Sequence, residues 1–404
     1  MLRTIDLFSG CGGLTEGFLS DRFDIVAHVE WDRKAVTVLN NRLRQLNPDH
    51  SDDVVIRFDI ERTDELINGF DADEEFGSHV GLADLASNKQ IDLVIGGPPC
   101  QAYSIAGRIR DENGMRDDYR NYLFESFVEI LRIFRPRAFV FENVEGMLSS
   151  TPDGSPIVDR IRDSFTKAGY KTIADYRNAV FDLSEYGVPQ QRKRVIILGL
   201  REGEFEDPGL VLSKFYSKDP NECFIRKQDR MTARDAIGDL PALIPKDNPS
   251  KNVSHTHSKN GLTSHEPRFH NQRDIETFRM MTEDVRDGTG LYSSIDAIKE
   301  LYTKRTGKKA EVHKYNVILP EEPSNTIVAH LKKDGLRHIH WDPEQARSIT
   351  VREAACLQGF PRDFEFPVNQ GAAYEMIGNA VPPPFAALIA NAIVEVFNSH
   401  HIDN

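Results

Sequence analysis

Four cysteines among 404 residues, at positions 11, 100, 223 and 356, are too few and too scattered for a disulfide framework. No Cys-x-x-Cys pair occurs, which also disfavours a cysteine zinc site and leaves a reducing cytoplasm as the expected compartment. No uninterrupted apolar run approaches the length of a membrane span, and the opening Met1-Leu-Arg-Thr-Ile-Asp6 enters a strand at once instead of forming a leader. No membrane partner is therefore expected. Basic charge is short as well: the net charge of −13 disfavours, at face value, a polyanionic partner. Internal repeats are absent. What remains, 39% hydrophobic and 28% charged residues, describes an ordinary globular chain long enough for one large domain and a smaller one.

The charge is unevenly spread. Between Asp49 and Asp92 there are 13 acidic against 3 basic residues, whereas Lys246 to Lys314 holds 13 basic against 10 acidic residues and five histidines. Local charge governs phosphate binding more than the total does, so a nucleic-acid partner is weakened without being excluded.

Strand-like and helix-like segments alternate over the first 200 residues. Apolar runs at 4–8, 25–29, 54–58, 91–95, 138–141 and 195–200 are separated by helical spacing at 32–44, 119–134 and 157–167. This rhythm predicts an α/β fold, a doubly wound and mostly parallel sheet. The acidic piece 61–89 interrupts it and reads as a surface insertion with at most short helices. From 201 to 340 the chain is polar, rich in Pro, Gly, Ser and His, and without long periodic segments, which predicts a separate irregular lobe. Order returns at 348–358, a helix opened by Thr350 and Glu353 at capping-box spacing and stopped by Gly359-Phe-Pro361. A second helix is expected over 386–397. The sequence thus divides as 1–200, completed by 345–404 packing back onto it, and 201–344.

The strand at 91–95 runs into Gly96-Gly-Pro-Pro-Cys-Gln-Ala-Tyr-Ser104, which places Cys100 just past a carboxyl edge, where ligands and chemistry sit in open α/β sheets. Cys100 therefore reads as a nucleophile. Asp6-Leu-Phe-Ser-Gly-Cys-Gly-Gly-Leu14 follows the first strand, and its glycines allow a tight turn and close approach to a ligand. The spacing departs from G-x-G-x-x-G and disfavours a nicotinamide dinucleotide. Glu30 and Trp31 end the second strand and Asp59 the third. A carboxylate for ribose hydroxyls, an indole to stack on adenine and an acid for the adenine amine together point to an adenosyl cofactor. Glu142-Asn-Val144 ends the fifth strand beside the expected place of Cys100 and reads as a base-recognition group. Arg192 and Arg194, in Gln190-Gln-Arg-Lys-Arg194, alternate as if on one face of the last strand.

With these motifs and Arg347-Ser-Ile-Thr-Val-Arg-Glu353, Leu357-Gln-Gly-Phe-Pro361 and Gly378-Asn-Ala-Val-Pro382, the chain resembles the bacterial-type DNA (cytosine-5)-methyltransferases. The resemblance implies a SAM-dependent, Rossmann-like catalytic domain and a target-recognition domain at 201–344, with DNA in the cleft between the lobes. It implies methyl transfer from S-adenosyl-L-methionine to C5 of a cytosine flipped out of a short specific sequence of double-stranded DNA. Cys100 would add to C6, Glu142 would bind N3 and the exocyclic amine, Arg194 would hold O2, and Arg192 would help to fix Glu142. Carried over residue by residue, cofactor contacts fall on Phe8, Gly10, Gly13, Leu14, Glu30, Trp31, Asp59, Ile60, Pro98, Leu123, Asn379 and Val381. Substrate contacts fall on Gln101, Ser104, Asn143 and Val144, and 101–120, with Arg108, Arg110 and Arg116, reads as a lid over DNA. The resemblance leaves room for a cognate restriction endonuclease acting separately, and implies a cytoplasmic, nucleoid-associated monomer. A related family that acts on tRNA usually carries Cys-Phe-Thr-x-x-Tyr, which is absent here.

No metal is expected. His255, His257, His265 and His270 cluster in a polar segment without a helical frame and read as surface or DNA-contacting residues. Cys11 and Cys356 read as buried packing residues.

Overall fold

The computed structural model describes residues 1–87, 89–99, 123–152, 154–256, 262–309, 315–333 and 335–400. The chain divides into two compact units, one of residues 1–186, 193–228 and 383–404, the other of 187–192 and 229–382.

The first unit is built on an eight-stranded sheet in the order β3-β2-β1-β6-β7-β10-β8, with β9 paired to β10. Its central strands, β1 (Leu2–Leu7), β2 (Phe23–Glu30), β3 (Val55–Arg57), β6 (Leu93–Gly96) and β7 (Ala138–Val144), all pair in parallel. β10 (Lys193–Arg201) runs antiparallel to β7, and β8 (Tyr170–Lys171) and β9 (Val180–Asp182) flank it. The doubly wound, mostly parallel α/β sheet is thus as the alternation predicts. Its helices follow from apolar spacing and caps. In α5 (Leu123–Phe134) the buried positions 123, 124, 127, 128, 130 and 131 form one stripe. That stripe and α6 (Ile157–Lys167) pack on the sheet through Phe127, Phe139, Phe141 and Phe165. α2 (Arg33–Leu46) starts at Asp32, whose carboxylate accepts from the amides of Lys34 and Ala35.

The insertion contains the short helices α3 (Thr63–Asn68) and α4 (Leu82–Ala86), as expected, and also a hairpin of β4 (Phe70–Asp73) and β5 (Gly77–His79). Phe70 and Phe76 pack on Phe58 there, and the short, mostly polar strands lack the apolar alternation that reveals a strand. The last helix, α13 (Pro383–His400), belongs to the first unit and packs on α1 (Gly13–Phe18). A Cβ on Gly17 would lie 2.3 Å from the Ala386 carbonyl carbon, so only glycine permits this approach. Residues 370–398 include a helical window long and apolar enough to cross a membrane. The apolar side of α13 is spent instead on α1 and on Phe181 and Tyr186.

The second unit is less irregular than its sequence reads. Besides the short α8 (Ala233–Ile237) and the hairpin of β11 (Pro245–Ser250) and β12 (Val253–His255), it holds α9 (Gln272–Asp287) and α10 (Ile295–Thr306). Ile275, Phe278, Met281 and Leu301 of these helices pack with Tyr315, Val317 and Ile339. Residues 345–382, with α11 (Val351–Gln358) and α12 (Gln370–Asn379), group with this unit, while 201–228, including α7 (Pro208–Tyr216), group with the first. The expected capping box of Thr350 and Glu353 opens α11.

Candidate active site

Strand order brings five of the sequence segments to one edge. β3, β2, β1, β6 and β7 lie side by side and parallel, so their carboxyl ends line up. Asp59 and Ile60 follow the first of these, Glu30 and Trp31 the second, the turn 8–14 the third and Gly97-Pro98 the fourth. Glu142, Asn143 and Val144 close the fifth. This is the edge at which doubly wound sheets bind ligands.

The turn after β1 is shaped by unusual backbone. Phe8 sits at φ 55 and Gly10 at φ 56, in the left-handed region, which is costly for a side chain such as phenylalanine and recurs at ligand-binding turns. Glu30 reaches across to hold the tip. Its Oε2 accepts from the Gly10 amide at 2.8 Å and its Oε1 from the Asp32 amide at 2.7 Å. Burial pushes the Glu30 carboxyl above its ordinary value, and the amides of Asp32 and Gly10 pull against that. Each carboxylate oxygen keeps a further lone pair for a ligand hydroxyl. The adjacent Trp31 is 55% exposed, a ring left open for stacking. A Cβ on Gly10 would meet nothing within 4 Å, so open space lies directly over the backbone. These features fit the adenosyl end of S-adenosylmethionine. Gly13, Leu14, Ile60, Pro98 and Leu123 are buried and form apolar surroundings for the strand ends.

At β7 the acid and the base of the motif set meet. Arg194 on β10 is the register partner of Val144, and its Nε stands 2.7 Å from Glu142 Oε1, with both side chains about nine-tenths buried. The Asn143 amide donates to the Pro98 carbonyl at 3.4 Å and its Oδ1 accepts from the Val144 amide. A Cβ on Gly97 would fall 2.6 Å from Glu142 Oε2. The stem of the Gly-Gly-Pro-Pro turn therefore touches the Glu142–Asn143 pair directly. The role of Gly97 is absent from the sequence reading, although the doubled glycine before Pro98 signals a close approach. Cys100, Gln101, Ser104 and the lid arginines lie outside the described residues.

The two arginines do not share a strand face. β10 begins at Lys193, and Arg192 belongs to the second unit, where its guanidinium donates to the carbonyls of Ile327, Gly378 and Ala380 at 2.9–3.0 Å. It thereby caps the end of α12, the segment that carries Asn379, which is exposed, and Val381, which is buried.

Cys11 and Cys356 are buried, and burial pushes the Cys11 thiol up to about 12 and raises that of Cys356. Neither is a ready thiolate at neutral pH. The histidines require a correction, since His255, His265 and His270 are core residues. His255 faces Ser254 Oγ and the Gln345 carbonyl at 2.9 Å, and His265 faces Thr350 Oγ1 at 3.0 Å and the Pro241 carbonyl at 2.9 Å. His270 Nε2 accepts from the Ser348 amide at 3.2 Å. Imidazoles that satisfy both polarities inside a core look, in sequence, like surface ones. His257 lies outside the described residues. No cluster that could hold a metal ion occurs among the described residues.

Fold and edge together define a doubly wound α/β enzyme of the methyltransferase type. The chain belongs to the C-5 cytosine-specific DNA methylase family, whose sequence model matches residues 2–395. It is thus a DNA (cytosine-5) methyltransferase. It is 33% identical to the type II methyltransferase M.Bpa9945I of Bacillus paralicheniformis, over 98% of this chain and 99% of that protein. It is 30% identical to the type II methyltransferase M.NgoPII of Neisseria gonorrhoeae, over 97% of this chain and 95% of that one. Among solved structures, an E. coli prophage-encoded protein assigned as a DNA modification methyltransferase shares the fold at a TM-score of 0.65 and 23% identity, covering 99% of this chain and 100% of its own. The S. pombe Dnmt2 methyltransferase does so at 0.53 and 15%, covering 98% and 99%.

Proposed function

We propose that this enzyme methylates C5 of a cytosine flipped out of duplex DNA within a short specific sequence, through a covalent cysteine–C6 adduct. The observation that carries the reading is the Glu142–Arg194 pair, held against the stem of the Cys100 turn by Gly97 and Asn143. S-adenosylmethionine, when bound over the turn 8–14 with Glu30 at its ribose and Trp31 and Asp59 at its adenine, supplies an electrophilic methyl group.

Cytosine C5 is a weak nucleophile, so a direct displacement would be slow. In the proposed route the Cys100 thiolate bonds to C6, and the ring electrons move to C5. Glu142 hydrogen-bonds the N3 edge and the exocyclic amine, where charge develops, and Arg194 holds O2 while fixing the Glu142 carboxylate. C5 takes the methyl group and then loses its proton to a base in the site. The C6–sulfur bond breaks, Cys100 leaves as thiolate and 5-methylcytosine remains. In a stacked duplex the ring is covered, which is why the base must leave the stack.

The second unit, with its basic stretch, is the part we assign to reading the target sequence. The relatives are type II methyltransferases, and by that likeness this enzyme is the modification partner of a separately acting restriction endonuclease. It acts as a monomer in the cytoplasm, on nucleoid DNA.

Transfer of labelled methyl groups to double-stranded DNA, followed by bisulfite sequencing, reads activity, chemistry and target site together. Cys100→Ala abolishes transfer, and wild-type protein becomes trapped on DNA containing 5-fluorocytosine. Transfer by Cys100→Ala would rule out the adduct. Methylation of tRNA but not DNA would rule out the substrate.

A further inference from the structure

The carboxyl end of β1 holds a buried polar cluster that the proposed reaction does not use. Asp6, Thr15 and His28 are all buried. Asp6 and His28 are register partners on adjacent parallel strands, so their side chains leave the sheet on one face. Thr15 meets them from α1. Its Oγ1 donates to Asp6 Oδ2 at 2.6 Å, and His28 Nδ1 stands 3.1 Å from the same oxygen. Asp6 Oδ1 has no hydrogen-bond partner among the described residues. A carboxylate desolvated this far and satisfied on one oxygen alone is costly, and an apolar trio of similar volume would hold two strands and a helix at least as well. Stability is a poor reason for the cluster, and geometry is a better one.

Asp6 and Thr15 stand at the two ends of the turn 8–14. The tip of that turn is tied by Glu30 to the Gly10 amide, and its flank by the Ser9 amide to the Val29 carbonyl at 3.2 Å and Ser9 Oγ to the Asp6 carbonyl at 3.1 Å. The Asp6–Thr15 bond closes the base. Between these ties the backbone takes positive φ at Phe8, Gly10 and Gly12. An unusual backbone persists only when its surroundings over-determine it.

We propose that Asp6, Thr15 and His28 form a positioning clamp that sets the turn 8–14 in the shape that receives the cofactor. The proposal rests on the reading of that turn as the S-adenosylmethionine site. The three residues act through the turn, so they govern cofactor affinity and leave the chemical step alone.

The test uses the full chain as wild type, Thr15→Val, Thr15→Ser and His28→Gln. Binding of S-adenosylhomocysteine is measured by calorimetry and by Trp31 fluorescence, with KM for S-adenosylmethionine, kcat and thermal melting alongside. Thr15→Val is expected to weaken S-adenosylhomocysteine and raise KM by roughly tenfold, the worth of a hydrogen bond to a carboxylate. Its kcat stays within about twofold, and Thr15→Ser, which keeps the donor, behaves as wild type. A Thr15→Val protein that melts lower yet binds with unchanged affinity and KM overturns the clamp alone. Wild-type protein that binds no S-adenosylhomocysteine overturns the cofactor reading, and the clamp with it. If Thr15→Val does not fold, His28→Gln decides by the same readings.

Discussion

Gly97 and Glu142 are in contact so close that a single added carbon would displace the acid. A Cβ at position 97 would fall 2.6 Å from Glu142 Oε2, and that oxygen belongs to the carboxylate whose other oxygen pairs with Arg194. Gly97→Ala must therefore move Glu142, move the Pro98 stem, or both. We expect kcat to fall by about a hundredfold, the order associated with an ångström of misplacement in a reacting site. Calorimetric affinity for S-adenosylhomocysteine should change far less, because Glu30 and Trp31 stand at the end of another strand, β2. A Gly97→Ala enzyme with wild-type kcat would show that the glycine does not set the carboxylate.

Charge at Glu142 can be separated from its shape. Glu142→Gln keeps the volume and a carbonyl acceptor but removes the negative charge that Arg194 faces. In the proposed route that carboxyl group accepts from the exocyclic amine and favours protonation of N3 as negative charge develops there. A loss of roughly 10²- to 10⁴-fold in kcat is expected, with little change in the melting temperature. Single-turnover methyl transfer measures it. A loss confined to KM for DNA would assign Glu142 to binding alone.

The catalytic fold was legible because its signals are local. Parallel strands buried on both faces read as short apolar runs, and distinctive residues stand at or just after their ends: the turn 8–14, Glu30, Asp59, Gly97-Pro98 and Glu142. What stayed hidden has physical reasons. α9 and α10 bury narrow stripes, Leu301 being the one buried residue of α10, so polar residues swamp their periodicity. Their caps were readable all the same. Asn271 and Ser294 accept from the amides of Asp274 and Ala297, and Gly288 and Gly307 close the helices at positive φ. Arg192 misled because a period of two is a strand signal only inside a strand, and β10 starts one residue later. The buried histidines could not be seen, since their partners Gln345, Ser348 and Thr350 lie about 80 residues or more away.

These histidines make stability depend on pH. Burial, reinforced by the Arg347 guanidinium, lowers His255 and a further buried histidine of the same unit, His340, to about 4 and, with His255 and Arg268 adding to it, lowers His270 to about 3. In the unfolded chain each returns towards 6.5. Between those values the unfolded state binds more protons, so stability rises with pH there. It is complete above about pH 6.5 and is lost as pH falls towards 4 and then 3. Urea midpoints should therefore stay level from pH 7.5 to about pH 6.5 and drop from there to pH 5, in a window where Glu353, held down at about 2, stays ionised in the folded state. A midpoint that stays level over this range would mean that the histidines are accessible to protons without unfolding.

Glu353 and Arg347 provide the sharpest test of the core of the second unit. Both are buried, and the guanidinium grips the carboxylate with two bonds of 2.6 Å while Gln345 Oε1 accepts from the same guanidinium. Glu353 also accepts from the Thr350 amide at 2.7 Å to complete the capping box of α11. The charged forms stabilise each other well enough to hold the carboxyl at about 2 against the burial that pushes it up. Glu353→Gln leaves Arg347 buried beside a neutral amide, and removing one partner of a buried pair costs about 3–5 kcal/mol. Replacing both, as Arg347→Met with Glu353→Leu, removes the charges together and should recover much of that loss, less the capping contribution of about 1 kcal/mol. Urea unfolding in a Trp31→Phe background, where Trp341 is the remaining tryptophan, reads this unit directly. Equal losses in the single and double variants would show that the pair stabilises in its own right, beyond neutralising charges that the fold has already buried.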